Sequence, residues 1–88
     1  METMQDIPIS GSQVRAARAL LGWTVHELAH RSVVSVVTIR EIEDGAGGSG
    51  AHRAHLVAIR TALEREGIEF LDGGAPGVRL VPRLKREK

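Results

Sequence analysis

The sequence contains no cysteine and no tyrosine, and Trp23 and Phe70 are its only tryptophan and phenylalanine. Without cysteine, the chain can form neither a disulfide framework nor a zinc site with thiolate ligands. With so few aromatic side chains, a hydrophobic core has to be built from leucine, isoleucine, valine and alanine. No run of residues approaches the ~20 apolar positions of a membrane-spanning helix, and residues 1–11 lack the basic and apolar regions of a signal peptide. We therefore expect a cytoplasmic protein with no membrane partner.

Length and charge narrow the possible classes further. At 88 residues the chain is expected to form one small domain. A domain of this size buries only about 60–65% of its unfolded surface, which excludes a large enzyme fold with a roomy cleft. Residues 1–72 carry seven arginines against ten carboxylates, a net charge of −3, whereas residues 73–88 carry five cations against one carboxylate, a net charge of +4. Most of the chain is thus mildly acidic, which by itself weighs against a nucleic-acid partner.

The first helix is predicted from apolar residues at three- and four-residue spacing. Ser10 or Ser12 would cap its start, because a hydroxyl oxygen can accept from a free amide of the first turn. Gly22 fits its end. The residues predicted to face inward are Val14, Ala17, Leu20 and Leu21.

Two short helices separated by a tight turn follow. Thr24 and Glu27 have the spacing of a capping box, which opens a helix that ends near Arg31. Ser35 caps the next helix, predicted over Val36–Asp44. Two short helices joined by a turn of about three residues are typical of a helix-turn-helix.

A fourth helix is predicted over Ala51–Glu66, after a glycine-rich loop. Ile68–Leu71 and Val78–Val81 then flank a Gly/Pro loop and predict a hairpin, which must pack on the helices or pair with another chain. The predicted fold is mainly α: a compact four-helix domain with a helix-turn-helix, plus a C-terminal β-hairpin. Its divisions are an N-terminal arm at 1–11, the helix-turn-helix domain at 12–67, the hairpin at 68–82 and a basic tail at 83–88.

Several short motifs follow one another at fixed spacing in this helical region. They are Val14–Arg18, Gly22–Thr24, Glu27–Ala29, Ser35, Thr38–Ile39, Ile42–Gly45 and His55–Leu63. Through them, residues 14–67 resemble the lambda-repressor-like helix-turn-helix family, the Cro/repressor or XRE type. The resemblance implies a DNA-binding domain, usually dimeric, that represses transcription. It also implies an ion pair between Arg18 and Glu43, which we interpret as a structural clamp.

The chain departs from the family pattern at the positions that matter most for DNA. Val33 replaces the glycine usual in the turn. A left-handed conformation there would cost a β-branched residue about 1–2 kcal/mol, so the turn could also have a different geometry. Val25 replaces a phosphate-binding glutamine. Val36 and Val37 replace polar base-reading residues, and Glu41 stands where another is usual.

The resemblance implies double-stranded DNA as the partner. Val36 and Val37 would contact thymine methyl groups and Glu41 would accept from cytosine N4. Arg40 would contact a phosphate. The free backbone N–H groups at the start of the fourth helix would bind another. Alternatively, the exposed valines form a patch for a protein partner or a dimer contact. The full set of candidate DNA-binding residues is Thr24, Val25, Ser35, Val36, Val37, Thr38, Arg40, Glu41, His52 and Arg53.

The segment from His26 to His30 matches H-E-x-x-H, the zinc-protease motif. The capping box already explains Glu27, and Val33 and Val36 stand where the extended form of the motif needs glycine and a third histidine. His52 and His55 form a second histidine pair, but no carboxylate is in register with it. We expect no enzyme activity, no metal, no cofactor and no small-molecule ligand.

The expected function is therefore sequence-specific DNA binding by a transcriptional regulator. The alternative is a helix-turn-helix fold used as a protein-protein or antitoxin module with weak or no DNA binding. A homodimer is expected to form through the hairpin, because unpaired strand edges are a template for another chain. Symmetric pairing would set the recognition helices about 34 Å apart. The apolar surface for this contact would come from Ile68, Phe70, Val78 and Leu80.

Overall fold

A computed structural model describes residues 9–45, 53–71 and 75–82. Within these residues, four helices and two strands follow one another: α1 (Gly11–Leu21), α2 (Val25–Ser32), α3 (Val36–Glu43), α4 (Arg53–Glu64), β1 (Ile68–Leu71) and β2 (Gly77–Leu80). The predicted fold class is confirmed, since the chain is mainly helical and ends in a two-stranded antiparallel hairpin. None of the helices described is long and apolar enough to cross a bilayer. His52, the basic tail at 83–88 and most of the arm lie outside the described residues.

Each of the first three helices starts at a hydroxyl side chain. The hydroxyl accepts a hydrogen bond from the backbone N–H three residues later, at 3.1 Å in every case. These bonds satisfy amides that have no partner within their helix. The caps are Ser10 for α1, Thr24 for α2 and Ser35 for α3. Of the two serines considered for α1, Ser10 is therefore the cap.

Apolar residues flank each cap in the same way. One precedes the cap and another follows it by four positions, the arrangement called a hydrophobic staple. Because both members lie in or against the core, each staple fixes the direction in which the chain enters its helix. The three pairs are Ile9 and Val14, Trp23 and Leu28, and Val34 and Ile39. Ile9 is only 5% exposed and belongs to the core cluster.

The complete capping box lies at α1 rather than at α2, where we predicted it. Ser10 accepts from Gln13, and the Gln13 side chain accepts from the Ser10 backbone N–H at 2.9 Å. At α2 the Thr24 half is present, but the Glu27 carboxylate accepts from Arg31 Nε at 2.6 Å. The competing arginine lies one helical turn along the same face, which the capping pattern does not take into account.

The prediction that Leu20 faces inward is wrong. Leu20 is 46% exposed, while Val14 and Ala17 are buried and Leu21 packs against the core. Leu21 follows Val14 by seven residues, or two helical turns, and so lies on the same face of α1. Leu20 is rotated from Leu21 by about 100° around the helix axis, which places it outside that face.

The start of α1 packs directly against the end of α3. A Cβ on Gly11 would lie 2.1 Å from the carbonyl oxygen of Ile42, so only glycine permits this approach. Arg15 Nη1 donates to the carbonyl oxygen of Glu43 at 2.9 Å, beside the same contact. The backbone of α1 thus contacts the end of α3 directly. Asp44, the predicted last residue of α3, serves as its C-cap.

The hairpin packs its inner face on the helices. Ile68 is paired with Leu80 and Phe70 with Val78, and all four side chains share one face of the sheet. Ile68 is 2% exposed and belongs to the core, and Phe70 and Val78 pack against it. The expectation that all four supply a dimer surface is therefore wrong for Ile68. Leu80 remains 41% exposed.

Bounds near the C-terminus differ from the predictions by one to two residues. Helix α4 is described from Arg53 to Glu64, within the predicted Ala51–Glu66. Strand β2 begins one residue earlier than predicted and ends at Leu80. The Val81 N–H donates to the Gly67 carbonyl oxygen at 2.8 Å, in the same register as the strand pairs.

The turn between α2 and α3 keeps a left-handed residue without glycine. Val33 has φ 60° and ψ 39°, the only positive φ among the described non-glycine residues. Its N–H donates to the Ala29 carbonyl oxygen at 2.9 Å, which closes α2. The Val33 side chain is 89% exposed, so packing does not compensate for the strain.

Val33→Gly is expected to raise the free energy of unfolding by about 0.5–1 kcal/mol. Relief of the left-handed strain contributes about 1–2 kcal/mol, and the greater unfolded-state freedom of glycine offsets about 0.4–1 kcal/mol of it. Urea denaturation followed by Trp23 fluorescence measures the change. Val33→Ala retains a Cβ and most of the strain, so it should stay near the wild type. Equal stabilisation by both variants would contradict the assignment of strain to Val33.

Candidate functional site

Helix α3 is fixed in the domain by a partly buried ion pair at its end. Arg18 Nε donates to Glu43 Oε2 at 2.7 Å and Arg18 Nη2 donates to Glu43 Oε1 at 2.8 Å. The arginine side chain is 18% exposed and the glutamate 8%. Arg18 Nη1 donates to the carbonyl oxygen of Trp23 at 3.0 Å. A single guanidinium therefore ties α1 to the end of α3 and to the residue just before the cap of α2.

The Arg18 guanidinium of this clamp keeps its positive charge. The hydrogen bond with Glu43 raises the pKa of Arg18 above its ordinary value, and the partial burial of the guanidinium opposes this only in part. A bidentate arginine–carboxylate pair also fixes the relative orientation of its two groups. The structure thus contains the ion pair that the resemblance implies.

The opposite face of α3 is turned to solvent. Val37 is 66% exposed, and Arg40 and Glu41, three and four residues further on, are exposed as well. Residues at this spacing are neighbours on one helix surface. Ile39 and Ile42 point the other way, into the core. The exposed face of α3 therefore presents one apolar, one cationic and one anionic side chain side by side.

Two of the predicted site valines are less accessible than expected. Val25 packs against the core cluster, so its side chain fills space under α2 instead of standing in place of a phosphate-binding glutamine. Val36 is half-buried, because it lies on the flank of α3 near the Ile39 side. Of the adjacent pair, only Val37 is fully available to a partner.

The hydroxyl residues at the start of α3 are engaged with each other. Ser35 Oγ accepts from the Thr38 backbone N–H at 3.1 Å and donates to Thr38 Oγ1 at 3.0 Å. Ser35 is exposed and Thr38 half-buried. Thr24, also exposed, caps α2 in the same manner. Arg53 is exposed at the first position of α4, and His52 lies outside the described residues.

Sequence reasoning missed how exposed the turn is. Val33, at 89%, and Val37, at 66%, are the most exposed large apolar side chains among the described residues. They stand on either side of Ser35, the cap of α3. We call these two residues the valine pair. Two signals in the sequence point to it: Val33 in place of the turn glycine, and Val37 in place of a polar base-reading residue.

Arg31 is engaged by Trp23 and by two carboxylates. Its guanidinium lies 5.0 Å from the centre of the Trp23 ring and bonds to Glu27, with Glu66 at 3.6 Å. The hydrogen bond to Glu27 raises the pKa of Arg31 above its ordinary value. The same bond engages the carboxylate that a zinc-protease mechanism would need as its general base. Among the described residues, no three metal-ligating side chains come together.

Arg18→Met and Glu43→Met are each expected to lower the free energy of unfolding by about 3 kcal/mol, because each leaves one buried charge without its partner. The double variant should lose less than the sum, since it removes both charges. Urea denaturation of the four proteins measures this coupling.

The matched control is the exposed pair Arg79–Glu69, which is 2.7 Å long with side chains 65% and 48% exposed. Glu69→Met should cost less than about 1 kcal/mol. If Glu43→Met cost no more than this control, the clamp would not be the contact that holds α3.

No model of a known protein family matches this chain, and no curated protein matches it either. The residues that bear on function lie in α2, in α3 and in the turn between them.

Proposed function

We propose that the chain is a sequence-specific DNA-binding regulator that acts as a homodimer through its helix-turn-helix. The observation that carries this proposal is the two-sided character of α3. One end is clamped by Arg18, Glu43 and the close approach of Gly11. The face of Val37, Arg40 and Glu41 stays exposed beyond a tight turn. A rigid helix with an exposed face suits insertion into a major groove about 12 Å wide.

The chemistry of the exposed face defines what it would read. Val37 offers methyl groups to the C5-methyl of thymine, and Glu41 accepts a hydrogen bond from cytosine N4. Arg40 supplies the positive charge for a neighbouring phosphate. Arg53 adds a cation at the start of α4, where the helix dipole also favours an anion.

The charge balance predicts how such binding would behave. Residues 1–72 carry a net charge of −3, and Glu41 repels phosphates unless it meets its cytosine. Sequence-independent attraction to DNA, which depends on released counterions, is therefore expected to be weak. Specific binding would depend on complementarity at the contacted bases more than on bulk charge.

The valine pair favours a second candidate, a protein-binding helix-turn-helix module such as an antitoxin. Two exposed valines on either side of the α3 cap are suited to an apolar pocket of a protein partner. Val33 in particular accepts backbone strain and gains no packing within its own chain. In this case the same surface is used, but the partner is a protein and DNA binding is weak or absent.

The base-reading proposal is tested by selecting binding sites from random duplex DNA with the wild type, Val37→Ala and Glu41→Gln at fixed salt. The wild type should select sites rich in thymine opposite Val37, with cytosine opposite Glu41. Val37→Ala should weaken binding to the selected site by about 1 kcal/mol, because apolar contact is lost. Glu41→Gln should relax the cytosine preference, since an amide also donates, and should strengthen binding to unrelated DNA.

Val57→Ala is the control, because it makes the same change at a 57% exposed valine on α4. It should select the same sites with the same affinity as the wild type. A wild type that selects no sequence would favour the protein-binding candidate. Val36, being half-buried, is a poorer probe than Val37, because its truncation also disturbs packing.

The dimer proposal is tested at Leu80, the inner-face residue that the monomer leaves 41% exposed. Leu80→Arg should convert the dimer to a monomer in sedimentation experiments, because a buried unpaired charge is costly. Val57→Arg places the same charge on α4 and should leave the dimer intact. Dissociation by both variants, or by neither, would put the interface elsewhere. Truncation after Gly67 is unsuitable as a test, since it would remove Ile68 from the core.

A further inference from the structure

Two histidines on α2 are not used by the proposed function. His26 and His30 are four residues apart on the uninterrupted helix Val25–Ser32, and both are exposed. Leu28, midway between them, is completely buried, so the two imidazoles lie on the side of α2 that faces away from the core. Side chains at this spacing are neighbours, with Cβ atoms about 5–6 Å apart.

The helix that carries the histidines is held at both ends. Thr24 caps its start, and the N–H of Val33 closes its last turn on the Ala29 carbonyl oxygen at 2.9 Å. Arg31 further ties α2 to Trp23 and Glu66. The spacing of the two Cβ atoms is therefore fixed by the fold. The backbone of α2 needs no further ordering to bind a ligand that uses both rings.

We propose that His26 and His30 form a two-point chelate for a late divalent transition metal such as Ni²⁺, Cu²⁺ or Zn²⁺. Imidazole nitrogen is a preferred ligand of these ions, at about 2.0–2.1 Å for zinc. Two rings at i and i+4 on one helix face can bind the same ion. Hard cations such as Mg²⁺ prefer oxygen ligands and are not expected to bind.

This site differs from the protease reading of the same motif. Glu27 accepts from Arg31 at 2.6 Å and is not assigned as a base or as a ligand. Only two protein ligands are provided, so water fills the remaining positions and the ion exchanges readily. The inference does not depend on DNA binding, because it uses the outer face of α2 alone.

The test is a titration of the folded protein with NiCl₂ and with ZnCl₂ at pH 7.5, followed by calorimetry and by thermal unfolding. One equivalent of ion should bind, and the melting temperature should rise with metal concentration, since a ligand that binds the folded state stabilises it. His26→Ala and His30→Ala should each weaken the affinity at least about tenfold, because the second contact of a chelate is intramolecular. MgCl₂ should leave the melting temperature unchanged.

A matched variant separates a chelate from general histidine binding. His30→Ala combined with Ala19→His keeps four histidines in the chain but leaves His26 without its neighbour on α2. Ala19 is exposed on α1, so this change should not disturb the core. The double variant should bind as weakly as His30→Ala. Wild-type affinity in this variant would overturn the proposal.

Imidazole nitrogen resonances identify the ligands directly. In ¹⁵N-labelled wild type, Zn²⁺ should shift the signals of His26 and His30 together at low stoichiometry. A response confined to His52 and His55, or no response to any ion, would overturn the proposal. Trp23 fluorescence of each variant without metal confirms that loss of binding does not reflect loss of fold.

Discussion

The orientation of α3 depends on one ion pair, together with the close approach of Gly11 beside it. Arg18 contacts both carboxylate oxygens of Glu43 and the carbonyl oxygen of Trp23, and so connects three consecutive helices from one side chain. A domain with almost no aromatic residues has little large apolar surface with which to orient short helices, and burial contributes roughly in proportion to area. The ion pair fixes the orientation of the helices, whereas burial of the apolar core mainly stabilises the fold. The opposite face of α3, with Val37, Arg40 and Glu41, stays exposed.

Gln13 attaches the hairpin to α1, as Arg18 attaches the end of α3 to α1. Its Nε2 donates to the carbonyl oxygens of Leu71 and Gly77, both at 2.9 Å, where the two strands reach their connecting loop. At the other side of the hairpin the Arg60 guanidinium lies 5.3 Å from the centre of the Phe70 ring, which joins α4 to β1. A two-stranded sheet is marginal by itself. Here polar side chains from two helices and the burial of Ile68 attach it to the domain.

Features that depend on neighbouring residues could be predicted from the sequence. The helix caps, the tight turn between α2 and α3, and the strand pairs follow from hydroxyl, glycine and β-branched residues within a few positions of one another. Features that depend on distant residues could not. The bonds of Gln13 to Leu71 and Gly77 depend on where the hairpin packs, which no local pattern encodes. Val25 belongs to the same group, because only the packed structure shows that it faces the core.

The sequence predicted which helix carries the candidate site, but not which of its valines are most exposed. The sequence pointed to α3 and to its valines, but treated Val36 and Val37 as equivalent, although a difference of 100° around a helix separates a flank from an exposed face. It also treated Val33 as a problem of turn geometry. The structure shows that the turn keeps the left-handed geometry and that the strained residue is the most exposed valine of the described chain. Backbone strain that brings no packing inside the domain is more readily explained by a contact outside it. In either proposed function, a thymine methyl or a protein pocket would offer Val33 an apolar surface. The net charge of −3 on residues 1–72 would then leave shape and apolar contact to supply most of the selectivity.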